Sequence, residues 1–188
     1  MYVCSPSDEA LLAGFAAGDP GAAAQFVRRF QTRIYGLALT ILGDAGAAED
    51  VAQEAFVRAW RHAATYDTRR GLVSTWLLTI ARNLALDRAR LKSAQPVDPD
   101  VLASRLQDGR AAGDVGDAAR IDDRDRVRVL LAELSPQQRR ALVLAVYLGR
   151  TAREISELDG IPVGTAKTRI RDAMIKVRGM LEVDDGSR

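Results

Sequence analysis

Five side chains near the C-terminus, Thr165, Lys167, Thr168, Arg169 and Arg171, are of the types that bind nucleic acid. Arg forks bidentately onto phosphate or guanine, Lys supplies a point charge, and Thr can bond either phosphates or base edges. They lie in the stretch 163–178, which holds five basic residues and one acid, Asp172. A second group lies upstream. Arg82 can grip phosphate or guanine and Asn83 can pair with a base edge, and Arg88, Arg90 and Lys92 follow against a single acid, Asp87. A basic pair, Arg69–Arg70, precedes that group in a Gly-containing loop. A third group has the opposite sign: Glu49, Asp50, Gln53 and Glu54 crowd six residues. Acids favour the positive end of a helix, but four polar groups exceed what capping requires. That stretch is either a solvated face or a docking surface for a basic partner.

Other chemistries find little support. The chain has one cysteine, Cys4, so it forms no intramolecular disulfide, and one histidine, His62, with no second ligand at metal spacing. No nucleophile–base pair or cofactor motif is present, which argues against an enzyme and implies no cofactor. The sequence has no apolar run of ~18 residues and no basic-then-apolar leader, so a cytosolic, soluble protein without membrane insertion is expected.

Helices must position these groups. Of the 188 residues 47% are apolar but only 5% aromatic, and leucine and alanine dominate, which favours helices over sheets. Ser7 caps a helix over 7–17, a Gly18–Gly21 turn follows, and helices run over 22–42 and 45–63. Phe26, Phe30, Ile34, Leu37 and Ile41 line the first long helix; Val51, Ala55 and Ala59 with Phe56 and Trp60 line the next. Ser74 is expected to cap a helix over 74–92, with Val73, Leu77, Ile80, Leu84 and Leu91 facing the core. Thr75, Thr79, Arg82 and Arg90 then share another face, with Asn83 beside it. These four helices share one core. Residues 93–123 carry seven Asp/Glu against three Lys/Arg, with Pro96, Pro99 and three glycines, and read as a linker that is flexible or only locally helical. Helical spacing resumes over 124–134 (Val127, Leu130, Leu131, Leu134). Ser135-Pro136 starts a helix to 148 with Leu142, Val143, Val146 and Tyr147 inward. Thr151 caps a helix over 152–158, and Asp159–Pro162 turns the chain into a last helix, 163–181, with Ala166, Ile170, Ala173, Val177 and Leu181 buried. The last pair reads as a helix-turn-helix, whose second helix presents its N-terminal residues to the major groove. Read without that context, it is a plain helical hairpin with a basic surface.

Three motifs resemble the extracytoplasmic-function (ECF) sigma factors of the sigma-70 family. Gly-Ile-Pro-Val-Gly-Thr-Ala-Lys-Thr-Arg (160–169), with Leu-Ser-Pro-Gln-Gln-Arg-Arg-Ala-Leu (134–142), is similar to their region 4. Ala-Glu-Asp-Val-Ala-Gln-Glu-Ala-Phe (48–56) is similar to region 2.2, and Thr-Trp-Leu-Leu-Thr-Ile-Ala-Arg-Asn-Leu-Ala-Leu-Asp (75–87) to regions 2.3–2.4. The chain differs from the family pattern at Asp159, where an apolar residue is usual, and at Ala152, Ala166 and Thr168.

The resemblance implies an all-α chain of two small helical domains: region 2 over 1–92 and region 4 over 124–188, joined by a flexible acidic linker, 93–123. Region 2 would dock on the β′ clamp helices of core RNA polymerase through Glu49, Asp50, Gln53 and Glu54. It would open and read the −10 element of promoter DNA with Arg69, Arg70, Ser74, Trp76, Arg82, Asn83 and Arg90. Region 4 would sit on the β flap and read the −35 duplex with Thr165, Lys167, Thr168, Arg169 and Arg171. An anti-sigma factor would be a further partner. The alternative is a helix-turn-helix regulator that binds duplex DNA as a dimer.

Overall fold

In the computed structural model the structure describes residues 6–92, 98–107 and 129–185, with side chains over 6–91, 98–106 and 129–180. Cys4, Val127, the Leu181 side chain, and residues 93–97 and 108–123 of the stretch read as a linker lie outside the described residues. The described elements are helical, in two compact units, 1–94 and 95–188. None of these helices is long and apolar enough to cross a membrane.

The first unit contains α1 (Asp8–Ala16), α2 (Pro20–Leu42), α3 (Ala45–His62) and α4 (Val73–Lys92). Side-chain oxygens set the first three starts. Ser7, Asp19 and Asp44 accept from the amides of Ala10, Ala22 and Ala47 at 3.2, 2.8 and 2.9 Å. The expected 18–21 turn is therefore shorter, because Pro20 occupies the first turn of α2, where its missing N–H is not needed. Gly43 closes α2 in the left-handed conformation at φ 66°. Gly14 lets α1 and α2 touch, since a Cβ there would lie 2.5 Å from that of Ala22. The core is built on Phe26, stacked on Phe15 at 5.0 Å, tilted against Phe30 at 4.9 Å and edge-on to Phe56 at 6.2 Å. Leu11, Ile34, Ile41, Val51, Val73 and Leu77 complete it.

Three expectations here are corrected. α4 begins one residue early, with the Trp76 amide bonded to the Leu72 carbonyl, so Ser74 lies inside its first turn and does not cap it. Leu91 is 88% exposed; the small residues Ala81 and Ala85 fill the seam instead, because α4 packs close to its neighbours. Trp60 is 53% exposed rather than apolar lining, since Val51, Ala55 and Ala59 already bury that side of α3.

The second unit contains α5 (Pro99–Gln107), a helical turn over 129–132, α6 (Pro136–Leu142), α7 (Ala152–Asp159) and α8 (Val163–Asp185). α5 lies inside the stretch read as linker and buries Leu102, Ala103 and Leu106. Arg139 anchors the segment before α6, donating to the Leu131 and Leu134 carbonyls at 2.8 and 3.1 Å. α6 does not continue as a regular helix to 148. Residues Val143–Tyr147 widen into a π turn, with the Leu148 amide reaching the Val143 carbonyl at 3.2 Å. The extra residue per turn rotates the later side chains. Val143, Leu144 and Leu148 are buried while Val146, expected inward, is 45% exposed.

Candidate nucleic-acid interfaces

The helix-turn-helix is fixed at both of its joints. Thr151 caps α7 in a full capping box. The Glu154 amide donates to Thr151 Oγ1 at 3.2 Å, and the Thr151 amide and hydroxyl donate to Glu154 Oε2 at 2.7 and 2.9 Å. Arg150 adds a bond to Oε1 at 3.0 Å. The bonds from Thr151 and then Arg150 hold the Glu154 carboxyl down at about 2. At the other end Gly160 takes the left-handed conformation at φ 62°, and Ser156 donates its hydroxyl to the Ile161 carbonyl.

Asp159, the departure noted above, is held beneath this turn. Its side chain is 10% exposed and accepts from Arg140 Nε at 2.9 Å; the same guanidinium bonds Asp100 of α5 at 2.7 Å. Asp159 thus takes part in an ion-pair group joining α5, α6 and α7.

α8 buries Ala166 and Ala173 and half-buries Ile170 and Val177. Lys167, Thr168 and Arg171 lie on its exposed face, at helical spacings of one, three and four. Thr165 and Arg169, four residues apart, are half-buried on its flank. The structure therefore gathers three of the five expected residues on one outer face and sets two beside it. Lys176, a member of the same basic run, is exposed but already engaged, donating to the Glu133 carbonyl.

In the first unit, the loop before α4 folds around an aromatic pair. The Tyr66 and Trp76 rings lie 5.6 Å apart at 56°, and the Tyr66 hydroxyl donates to the Gly71 carbonyl at 2.9 Å. Tyr66 was missing from the expected set. Its only sequence signal is an aromatic residue in a polar loop. Trp76, Asn83 and Arg90 recur every seven residues and so share one line along α4, beside the exposed Thr75 and Thr79. Ser74 lies off that line, seven residues before the fully buried Ala81. Arg82 is half-buried. Arg70 is exposed, whereas Arg69 lays its fork on Asp67 at 3.0 and 2.9 Å, and those bonds lower the Asp67 carboxyl below its usual range. Arg90 bonds Asp87 at 3.2 Å.

The acidic group on α3 divides in two. Asp50 pairs with Arg88 of α4, and Glu54 with Arg58 at 2.9 Å. Glu49 and Gln53 are exposed one turn apart, on the same side as the exposed Trp60. Among the described residues no group of three or more His, Cys, Asp or Glu could hold a metal ion.

Comparison with known proteins supports both units. Residues 26–95 match the family Sigma-70 region 2, and residues 124–177 match Sigma-70, region 4. The ECF RNA polymerase sigma factor SigK of Mycobacterium tuberculosis is 35% identical over 176 residues, covering 93% of this chain and 94% of that protein. SigK of Mycobacterium ulcerans is 35% identical over 181 residues, covering 92% of each. SigK of Mycolicibacterium vanbaalenii is 33% identical over 175 residues, covering 93% of this chain and 89% of that protein. Among solved structures, CnrH in complex with the cytosolic domain of CnrY aligns over 95% of this chain and 99% of that one, at 25% identity and a TM-score of 0.46.

Proposed function

Because this chain belongs to the ECF sigma factors of the sigma-70 family, we propose that its two units divide the work of promoter recognition between the −35 duplex and the opened −10 strand. It is a sigma factor that directs core RNA polymerase in transcription initiation. Residues 1–92 act as region 2, residues 124–188 as region 4, and the acidic stretch 93–123 joins them. α8 lies in the −35 major groove with Lys167, Thr168 and Arg171 toward the base edges and Thr165 and Arg169 toward the backbone. The Tyr66–Trp76 pair, with Arg69, Arg70, Arg82, Asn83 and Arg90 around it, captures a base unstacked from the −10 element. Ser74, half-buried off this face, supports the loop. α3 docks through Glu49, Asp50, Gln53 and Glu54 on the β′ clamp helices, while region 4 sits on the β flap. An anti-sigma factor competes for these surfaces. The protein works in the cytoplasm and performs no catalysis of its own.

The observation that carries this reading is the pairing of two unlike nucleic-acid faces on one chain. One is a basic helix-turn-helix face suited to duplex; the other is an aromatic platform beside Asn and Arg suited to single strand. Run-off transcription with purified core polymerase, followed by mapping of the start sites, tests it. Promoter-specific transcripts that require the chain support the reading. A lone dimer that binds duplex and gives no transcript with core would overturn it in favour of a regulator.

A further inference from the structure

Gly164 occupies an unusual place. It is exposed in the first turn of α8, and residues at three, four and seven positions beyond it are Lys167, Thr168 and Arg171. Helical geometry therefore puts it at the head of the face those three side chains form. Glycine is normally retained for a positive φ or for close packing. Neither applies. Gly164 is not among the glycines with positive φ, and a Cβ built on it meets nothing within 4 Å. Gly160, four residues earlier, is the contrast, since its φ of 62° supplies the turn. An alanine at 164 would fit the fold and raise helix propensity. The reason for a bare backbone must come from outside the chain.

We propose that Gly164 is a clearance position: its missing side chain lets the promoter duplex approach the α8 backbone closely enough for Lys167, Thr168 and Arg171 to reach base edges. This rests on the reading of α8 as the −35 element's reader. Glycine serves backbone approach to a ligand elsewhere in nucleotide recognition for the same steric reason. The side chain of residue 164 would stand between the helix axis and the groove floor, so each added carbon moves the neighbouring donors outward. The position therefore sets docking depth, and through it the sharpness of base discrimination. It is a positioning residue and makes no base contact itself.

The test uses the full chain assembled with core polymerase and a duplex that the wild-type complex has enriched from a randomised pool. Gly164→Ala, Gly164→Leu, Gly179→Ala and Lys167→Ala are compared for duplex affinity, base discrimination and melting temperature. Gly179 is a suitable control, being an exposed glycine of the same helix with open space around it, about 22 Å further along the axis at 1.5 Å per residue. The expected result is a graded loss: several-fold for Gly164→Ala and about tenfold or more for Gly164→Leu. Discrimination should flatten and melting temperature should not fall. Gly179→Ala keeps wild-type affinity. If Lys167→Ala weakens binding while both Gly164 variants bind as wild type, the clearance role is wrong and the −35 reading stands. If Lys167→Ala has no effect either, the −35 reading itself fails and this inference with it. A loss at Gly179→Ala equal to that at Gly164→Ala would also overturn it, because the effect would then not depend on the groove-facing position.

Discussion

Arg140 donates through Nε to the Asp159 carboxylate across 2.9 Å, linking α6 to the last residue of α7 directly before the helix-turn-helix turn. Nineteen residues separate the two in sequence, and the Asp159 side chain is 10% exposed. Removing Arg140 strips the desolvated Asp159 carboxylate of this partner, and removing Asp159 leaves the partly buried guanidinium only its outer bond to Asp100. Asp159→Ala should therefore destabilise the second unit by about 1–3 kcal/mol. Asp100→Ala, whose side chain is 72% exposed, should cost well under 1 kcal/mol, about the worth of a surface pair. Thermal unfolding of the two variants checks the order, and equal losses would show that the inner bond has no special weight.

Glu154 gives this unit an acid sensitivity. Its carboxyl is held down at about 2 in the folded chain, against an ordinary value of 4.5. A lowered pKa contributes stability above the unfolded value and loses it as the pH falls through the folded one. Melting temperature should thus decline between about pH 4.5 and about pH 2. Glu154→Gln keeps the shape of the capping box without the charge, so part of that decline should vanish. An unchanged pH profile in the variant would assign the acid transition to other carboxylates.

Docking on core polymerase should respond unequally across the acidic group. Glu49→Lys and Gln53→Lys should weaken core binding by about tenfold or more while leaving the melting temperature near wild type, because exposed charges contribute little to the fold. Asp50→Lys additionally sets a positive charge against Arg88, so it should lower both affinity and stability. Pull-down titration beside thermal melting separates the two effects. Core affinity untouched by Glu49→Lys and Gln53→Lys together would move the docking surface off α3.

Promoter opening should depend on the aromatic platform. Trp76→Ala and Asn83→Ala should lower the open-complex yield more than closed-complex affinity, since a captured base repays the cost of unpairing. A base stack of this kind is worth about 1–3 kcal/mol. Permanganate footprinting beside binding to a pre-melted template is the measurement. Variants that open the duplex normally would show that α4 does not read the −10 element. Arg69→Ala should act mainly through the loop, because its fork is laid on Asp67.

On α8, Lys167→Ala and Arg171→Ala should each cost about 1–3 kcal/mol and relax preference at one base pair. Thr165 and Arg169, half-buried on the flank, should instead weaken all sequences alike. A uniform loss for Lys167 and Arg171 that tracks only salt would place them on phosphates.

What could be read from the sequence follows from how local each signal is. Ser7, Ser135-Pro136 and Thr151 announce helix starts because a cap is a contact within four residues, and all three cap in the structure. Phe26, Phe30 and Ile34 face the core because their spacing reports a single helix face. The same rule misplaces Trp60, Leu91 and Val146, since it turns every apolar residue inward and cannot know which neighbours already fill the seam. Arg140–Asp159 and Tyr66–Trp76 are invisible to it, as each joins separate elements. Lys176 belongs to the basic run by composition, and only the fold shows it bonded to the Glu133 carbonyl.

The π turn at Val143–Tyr147 bears on how this domain can change over generations. A turn that closes on the fifth residue instead of the fourth holds one residue in surplus. Excision of a single codon there would let the segment relax into an ordinary α-helix, with Leu148, Gly149 and everything beyond kept in phase with the bundle. The same deletion inside α8 would swing Lys167 and Arg171 by about 100° and erase the groove face. Insertions and deletions among relatives should accordingly concentrate at 143–147 and avoid the reading helix.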